Sequence, residues 1–293
     1  MRFQRTIRNE VTVTGIGVHT GRSVSVRLLP AAPDHGIIFF RTDKGVHIRA
    51  DVRSVVETSF CTTLGGGGIK VRTVEHLLAA ASGLGVDNLL VEIDGPEVPV
   101  LDGSALNFVS AFLDAGVARQ GKIMPHLRIL QPVSYEDAHA RISVLPYDGR
   151  RITYKIDFSN SMLGRQELRL ELNEQTFVEE VAPARTFGFL KDLDALRANG
   201  LAQGASLANA IAIGEQGVMN PTGLRYRDEF VRHKALDAIG DLSLVGMPLL
   251  GHVFLEKSGH RANVNFVTVL LQSPESFVVV TEDVDRPAVS VLN

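Results

Sequence analysis

The chain has 293 residues, enough for one large domain or two of ordinary size, and is 45% hydrophobic and 22% charged. That balance fits a soluble globular protein with a substantial core. A formal charge of -3, with no basic run, argues against general nucleic-acid binding, so no nucleic-acid partner is expected. The single cysteine, Cys61, excludes an intramolecular disulfide and cannot build a thiolate metal site; any metal must rest on His and carboxylate. Met1-Arg2-Phe3-Gln4-Arg5-Thr6 has no apolar secretory core, and no stretch reaches the roughly 18 apolar residues of a transmembrane segment. A cytoplasmic protein is expected.

Val11–Thr14, Ser23–Leu28 and Gly36–Phe40 alternate or carry short β-branched runs between Gly and Pro, so they predict strands. The run Gly65–Gly68 predicts a hairpin turn; it lacks the Lys-Ser/Thr ending of a phosphate loop. A helix is predicted from Thr73, a good N-cap residue, followed by a strand at Asn88–Ile93 and a helix at Ala105–Ala115. Residues 118–125 lose periodicity and carry Gly and Pro, which predicts a linker.

The second half repeats the plan, with strands near Leu127–Leu130, Arg141–Leu145 and Thr153–Phe158. An irregular region runs from Val181 to Ile213, then a helix begins at Phe230. A strand follows at Gly251–Leu255, an untyped apolar segment at Ala262–Leu271 and a strand at Phe277–Val280. The predicted fold class is α+β: two similar domains, residues 1–120 and 126–293, each a β-sheet packed on helices in a two-layer sandwich.

The helix at Phe230 is the most informative stretch. His233, Asp237 and Asp241 recur at i, i+4 and i+8 and share one face, while Phe230, Val231, Leu236, Ala238, Ile239 and Leu242 cover the rest. Ionisable groups among apolar neighbours have to be paired, metal-bound or catalytic, because burying them bare costs too much. A His and an Asp one turn apart also suit one divalent cation. The alternative is a solvated polar stripe with an ion pair. A second His-bearing helix favours the metal: Val74, His76, Ala81 and Gly83 match Val231, His233, Ala238 and Gly240 at identical offsets. Such a match is what a duplicated fold with two helices meeting at a pseudo-symmetric centre would leave. Glu75 stands beside His76, where a carboxylate could serve as a base.

Four segments occur in order: Thr-Val-Glu-His at 73–76, Ala-Arg-Thr-Phe-Gly-Phe at 184–189, Val-Arg-His-Lys-x-Leu-Asp-Ala-Ile-Gly-Asp at 231–241, and Lys-Ser-Gly-His at 257–260. With Thr14–Gly21 and Pro99–Ser104, this ordered set resembles the UDP-3-O-acyl-N-acetylglucosamine deacetylase family, the zinc amidases of bacterial lipid A synthesis. The resemblance spans nearly the whole chain and implies an active site at the interface of the two domains.

It implies that His76, His233 and Asp237 hold Zn2+, an arrangement of three N/O ligands and an open position typical of catalytic zinc. It makes Glu75 the base, His260 the cation that stabilises the oxyanion and protonates the leaving amine, and Asp241 the partner of His260. Thr186 would donate to the oxyanion, and Lys234 would reach the substrate diphosphate. The substrate would be a UDP-linked, 3-O-acylated glucosamine, bound by a monomer.

The resemblance places an acyl passage within residues 184–213, lined by Leu190, Leu193, Leu201, Ala202, Ser206 and Ala210; a small satellite core is the alternative. Phe187 and Phe158 are further substrate-binding residues, Phe158 to stack on uracil. His19 carries no assigned role. The family pattern has a lysine near Glu136–Arg141, where this chain offers only His139 and Arg141. Two rival functions remain at this stage: a zinc amidase acting on another N-acyl sugar, and a non-catalytic metal- or lipid-binding relative. Glu75 and His260 count against the second, since binding alone requires neither.

Overall fold

In the computed structural model, which describes residues 2–158 and 163–281, five strands of the first half meet in one sheet. Its order is Val11–Ile16, Ser23–Pro30, Leu89–Ile93, Ile37–Arg41 and Val46–Arg49. Leu89, Val91 and Ile93 of the central strand are fully buried, as a period of two requires when one face meets a helix layer. Helix α1 (Glu75–Leu84) and helix α2 (Leu106–Ala115) pack together, and every residue of α1 except Ser82 is buried. The tetraglycine forms the predicted turn. Gly66 pairs with Ile69, and Gly67 and Gly68 take φ values of 56° and 78°, the left-handed pair a tight two-residue hairpin demands.

The second half builds a seven-stranded sheet around Leu249–Glu256, which pairs with Arg141–Leu145, Arg150–Phe158 and His126–Ile129. Between its strands the chain makes the short helix α3 (Glu174–Thr176), a π turn at Phe177–Val181 and helix α4 (Leu193–Ala198). Helices α5 (Glu229–Leu242) and α6 (His260–Leu271) then pack on this sheet and on each other. The apolar segment that periodicity could not type is therefore α6. No helix among the described residues is long and apolar enough to cross a membrane.

One expectation is corrected. Val117–Ile123, which overlaps the predicted linker at 118–125, is a strand antiparallel to Phe3–Ile7. It shows no apolar face because most of its side chains stay exposed; its order comes from the ladder and from the Arg119 guanidinium 3.5 Å above the Phe3 ring. Among the described residues no ladder joins the sheets of the two halves. What joins them is α1 against α5. A Cβ on Gly240 would stand 2.1 Å from the Glu75 carbonyl oxygen, so only glycine lets the two backbones approach there. Gly83, its counterpart in the repeated pattern, faces the Phe177 ring at the same hypothetical 2.1 Å.

Candidate active site

The approach to α1 differs from the expectation. Thr73 is not the N-cap: it adopts φ 57°, and Val74 takes the cap position without a side-chain bond. The Thr73 hydroxyl instead donates to Glu97 Oε1 at 3.0 Å. Glu97 is buried and also accepts from the backbone N–H groups of His19 and Thr20, each at 2.8 Å. It thereby anchors the loop before Glu75 and His76. Sequence reading passed over Glu97 because its partners lie far away along the chain.

On α5, His233, Asp237 and Asp241 are 2%, 4% and 0% exposed, which eliminates the solvated stripe. His233 Nε2 lies 3.3 Å from Asp237 Oδ1, and His76 Nε2 lies 3.5 Å from the same oxygen. The two imidazoles meet edge to face at 5.0 Å. His233 Nδ1 is 3.1 Å from the Ala184 carbonyl, which can only accept, so Nδ1 carries the proton and Nε2 keeps a free lone pair. Burial pushes the His233 pKa down to about 4, with Asp237 opposing. Burial works against the Asp237 anion, but His233 and Lys234 outweigh it and hold its pKa well below the usual value.

Two imidazole nitrogens and a carboxylate oxygen, all within 4.8 Å of one another, are a donor set suited to a divalent cation. Cys61 stays apart from it. Burial drives its thiol pKa up to about 12, leaving neither a nucleophile nor a ligand.

A second group adjoins the first. Glu75 Oε1 stands 3.9 Å from His260 Nε2, and Glu75 Oε2 accepts from the Thr62 N–H at 3.1 Å. His260, the first residue of α6, donates from Nδ1 to Asp241 Oδ2 at 2.9 Å. Asp241 also accepts from the Thr62 hydroxyl at 2.5 Å and from Asn263 Nδ2 at 2.9 Å, so this buried anion is well satisfied. Burial alone would lower the His260 pKa, but Asp241 and then Glu75 push it up to about 9. Burial raises that of Glu75, with His260 opposing. One turn of helix thus separates a carboxylate in the donor set from one that keeps an imidazole charged.

A cavity of about 560 Å³ opens from these groups. Its polar end presents Glu75, His76, Thr186, His233, Lys234, Asp237 and His260; its apolar wall includes Phe187, Leu190, Leu193, Ala202, Ser206 and Ala210. Leu201 is not on that wall; its N–H closes the end of α4 on the Leu196 carbonyl at 2.9 Å. Phe158 is set back from the wall and packs edge-on against Phe187, centroids 6.1 Å apart. Lys234 Nζ donates to Asp237 Oδ2 at 2.8 Å and sits 5.7 Å from the Phe187 centroid. Neither His139 nor Arg141 reaches the cavity; Arg141 pairs with Glu136 at 2.8 Å. His19, Phe60, Phe189, Leu196 and Met219 also line it. Scattered over loops, a short strand and the short helix α4, they offered no common periodic signal.

The α+β fold, the buried His/His/Asp set, the adjoining Glu75–His260 pair and the apolar cavity fit a metal-dependent hydrolase. Residues 4–272 match the family model of UDP-3-O-acyl N-acetylglycosamine deacetylase. The chain is 51% identical over 273 residues to the UDP-3-O-acyl-N-acetylglucosamine deacetylase of Thermodesulfovibrio yellowstonii, covering 93% of each. It is 47% identical to that of Syntrophotalea carbinolica, covering 96% of this chain and 91% of the relative. It is 45% identical to that of a Geobacter species, covering 96% and 92%. The chain belongs to the UDP-3-O-acyl-N-acetylglucosamine deacetylase family.

Proposed function

We propose that this chain hydrolyses the N-acetyl amide of UDP-3-O-acyl-N-acetylglucosamine, in lipid A biosynthesis, with zinc held by His76, His233 and Asp237. The observation that carries the reading is the 3.9 Å approach of His260 to Glu75 beside the three donors, at the head of an apolar cavity. A zinc ion bound there supplies Lewis acidity to the amide carbonyl and makes an attacking water acidic near neutral pH.

The chain's own groups do the rest. Glu75 takes a proton from the water as its oxygen bonds to the acetyl carbon. The Thr186 hydroxyl and the His260 cation stabilise the oxyanion that develops. His260 then gives its Nε2 proton to the amide nitrogen as the C–N bond breaks, releasing acetate and the free amine. Asp241 holds His260 protonated and aimed. Lys234 supplies a point charge for the diphosphate, and Phe187, backed by Phe158, an aromatic wall facing the substrate. Leu190, Leu193, Ala202, Ser206 and Ala210 line the acyl passage, with Leu201 behind the wall. One chain supplies every group, so a monomer suffices. Acetate release from this substrate, abolished by a chelator and restored by zinc, tests the reading; release that ignores the chelator would remove the metal from it.

The two titrating groups act in opposite forms, which sets the sign of the pH dependence. Activity needs Glu75 ionised, so kcat/KM rises with pH through a carboxyl pKa held above the ordinary 4.5. It needs His260 charged, so kcat/KM falls as pH passes about 9. In Asp241→Asn the alkaline limb is expected to move to lower pH, because the charge that raises His260 is gone. A full pH profile of both proteins checks this, and an unmoved limb would detach His260 from that step.

The passage has its own test. Each buried acyl methylene is worth roughly 0.8 kcal/mol. Ala210→Phe is expected to impair a long-acyl substrate far more than a short one, with zinc content unchanged. Equal losses on both substrates, together with a lower melting temperature, would mean that residues 184–213 are packing rather than passage.

A further inference from the structure

Arg185 and Glu229 form a buried ion pair next to the metal donors, at 7% and 0% exposure. Four donors converge on this carboxylate. Oε1 accepts from the Arg185 backbone N–H at 3.0 Å and from Arg185 Nε at 2.8 Å. Oε2 accepts from Arg185 Nη2 at 3.1 Å and from the Arg225 N–H at 2.6 Å. Arg185 Nη2 also reaches the Gly223 carbonyl at 2.7 Å. Arg225 extends the set to Asp102 Oδ2 and the Pro183 carbonyl, each at 2.8 Å. A buried ion pair seldom adds net stability over an apolar pair of similar size, because desolvation offsets the attraction. What such a pair does supply is direction.

The direction here is specific. The Arg185 N–H and the Ala184 C=O belong to one peptide group, and in a trans peptide they point opposite ways. The N–H is held by Glu229 at 3.0 Å, and the C=O accepts from His233 Nδ1 at 3.1 Å. Glu229 and His233 sit one turn apart on the same side of α5, so the 184–185 peptide spans from one to the other. We infer that Glu229 is a positioning residue that, through this peptide and the Arg185 fork, holds His233 in the ring orientation and tautomer a metal ligand needs. The same grip fixes the backbone of Thr186, the next residue, which lines the cavity. The inference rests on the proposal that His233 is a ligand.

The test uses the full chain. The double variant Arg185→Met/Glu229→Leu replaces the pair with apolar side chains, which buried pairs tolerate. It is expected to fold, with a melting temperature near that of the parent, yet to bind zinc about 10- to 100-fold more weakly in chelator competition, the usual loss when a ligand's outer partner is removed. In the metal-free protein, the nitrogen NMR signals of His233 are expected to lose their clear Nδ1–H preference. Glu229→Gln, which keeps the side-chain shape, is read the same way and covers the case of a poorly folding double variant. Parent-like zinc affinity and an unchanged His233 tautomer in a folded variant, or a loss confined to melting temperature, would overturn the inference. His233→Ala in the same competition separates the two claims. If it binds zinc as the parent does, the ligand assignment fails; if it loses zinc while the pair variants do not, only the positioning role fails.

Discussion

Glu75→Gln is expected to lower kcat by roughly 10²- to 10⁴-fold, the span general-base catalysis supplies, while the protein keeps about one zinc per chain. Glutamine preserves size and can still accept from the Thr62 N–H, the bond that anchors Glu75 at 3.1 Å. The loss is then a loss of basicity and not of packing. Glu75 is outside the His76, His233 and Asp237 donor set, which is why metal content should hold. Its charge also helps to keep His260 protonated, so the alkaline limb of any residual activity should move to lower pH. Single-turnover acetate release beside metal analysis measures all three quantities. Near-parental kcat would end the assignment of Glu75 as the base.

His233→Ala and Asp237→Ala are expected to reduce activity to background and metal content well below one ion per chain. Each takes away one of the three proposed donors, and an open site has no spare protein ligand to replace it. Asp237→Ala does more, since Asp237 also accepts from Lys234 at 2.8 Å, and the ammonium would lose its partner. His76→Ala should be the mildest of the three for stability, leaving the His233–Asp237 contact of 3.3 Å on one helix. None of these changes should unfold the chain, because Val231, Leu236 and Ala238 of α5 are fully buried whatever the site holds. Circular dichroism beside metal analysis checks this. Full metal retention in all three variants would dismantle the site.

Much of this site was legible before any fold was known. A helix repeats every 3.6 residues, so the spacing of His233, Asp237 and Asp241 placed them on one face by local geometry alone. Short apolar, β-branched runs located the strands at Leu89–Ile93 and Phe277–Val280, and the tetraglycine announced its turn through its freedom at positive φ. Other features were legible only in part. Thr73 has the chemistry of a cap, yet Glu97 took its hydroxyl, and a local preference of about 1 kcal/mol gives way to a buried carboxylate in need of donors. Val117–Ile123 looked like a linker because the partner that orders it is the first strand of the chain.

The sequence by itself determined which side chains share a helix face, which stretches extend and that any metal would need His and carboxylate. Only the tertiary structure decided what those faces meet. Thr62 reaches Asp241 across 179 residues, Arg185 reaches Glu229 across 44, and Gly240 admits the Glu75 backbone against α5. Such contacts leave no periodic trace in the chain. They depend on two separately built layers closing on each other, and that closure places the base and its histidine beside the donor set.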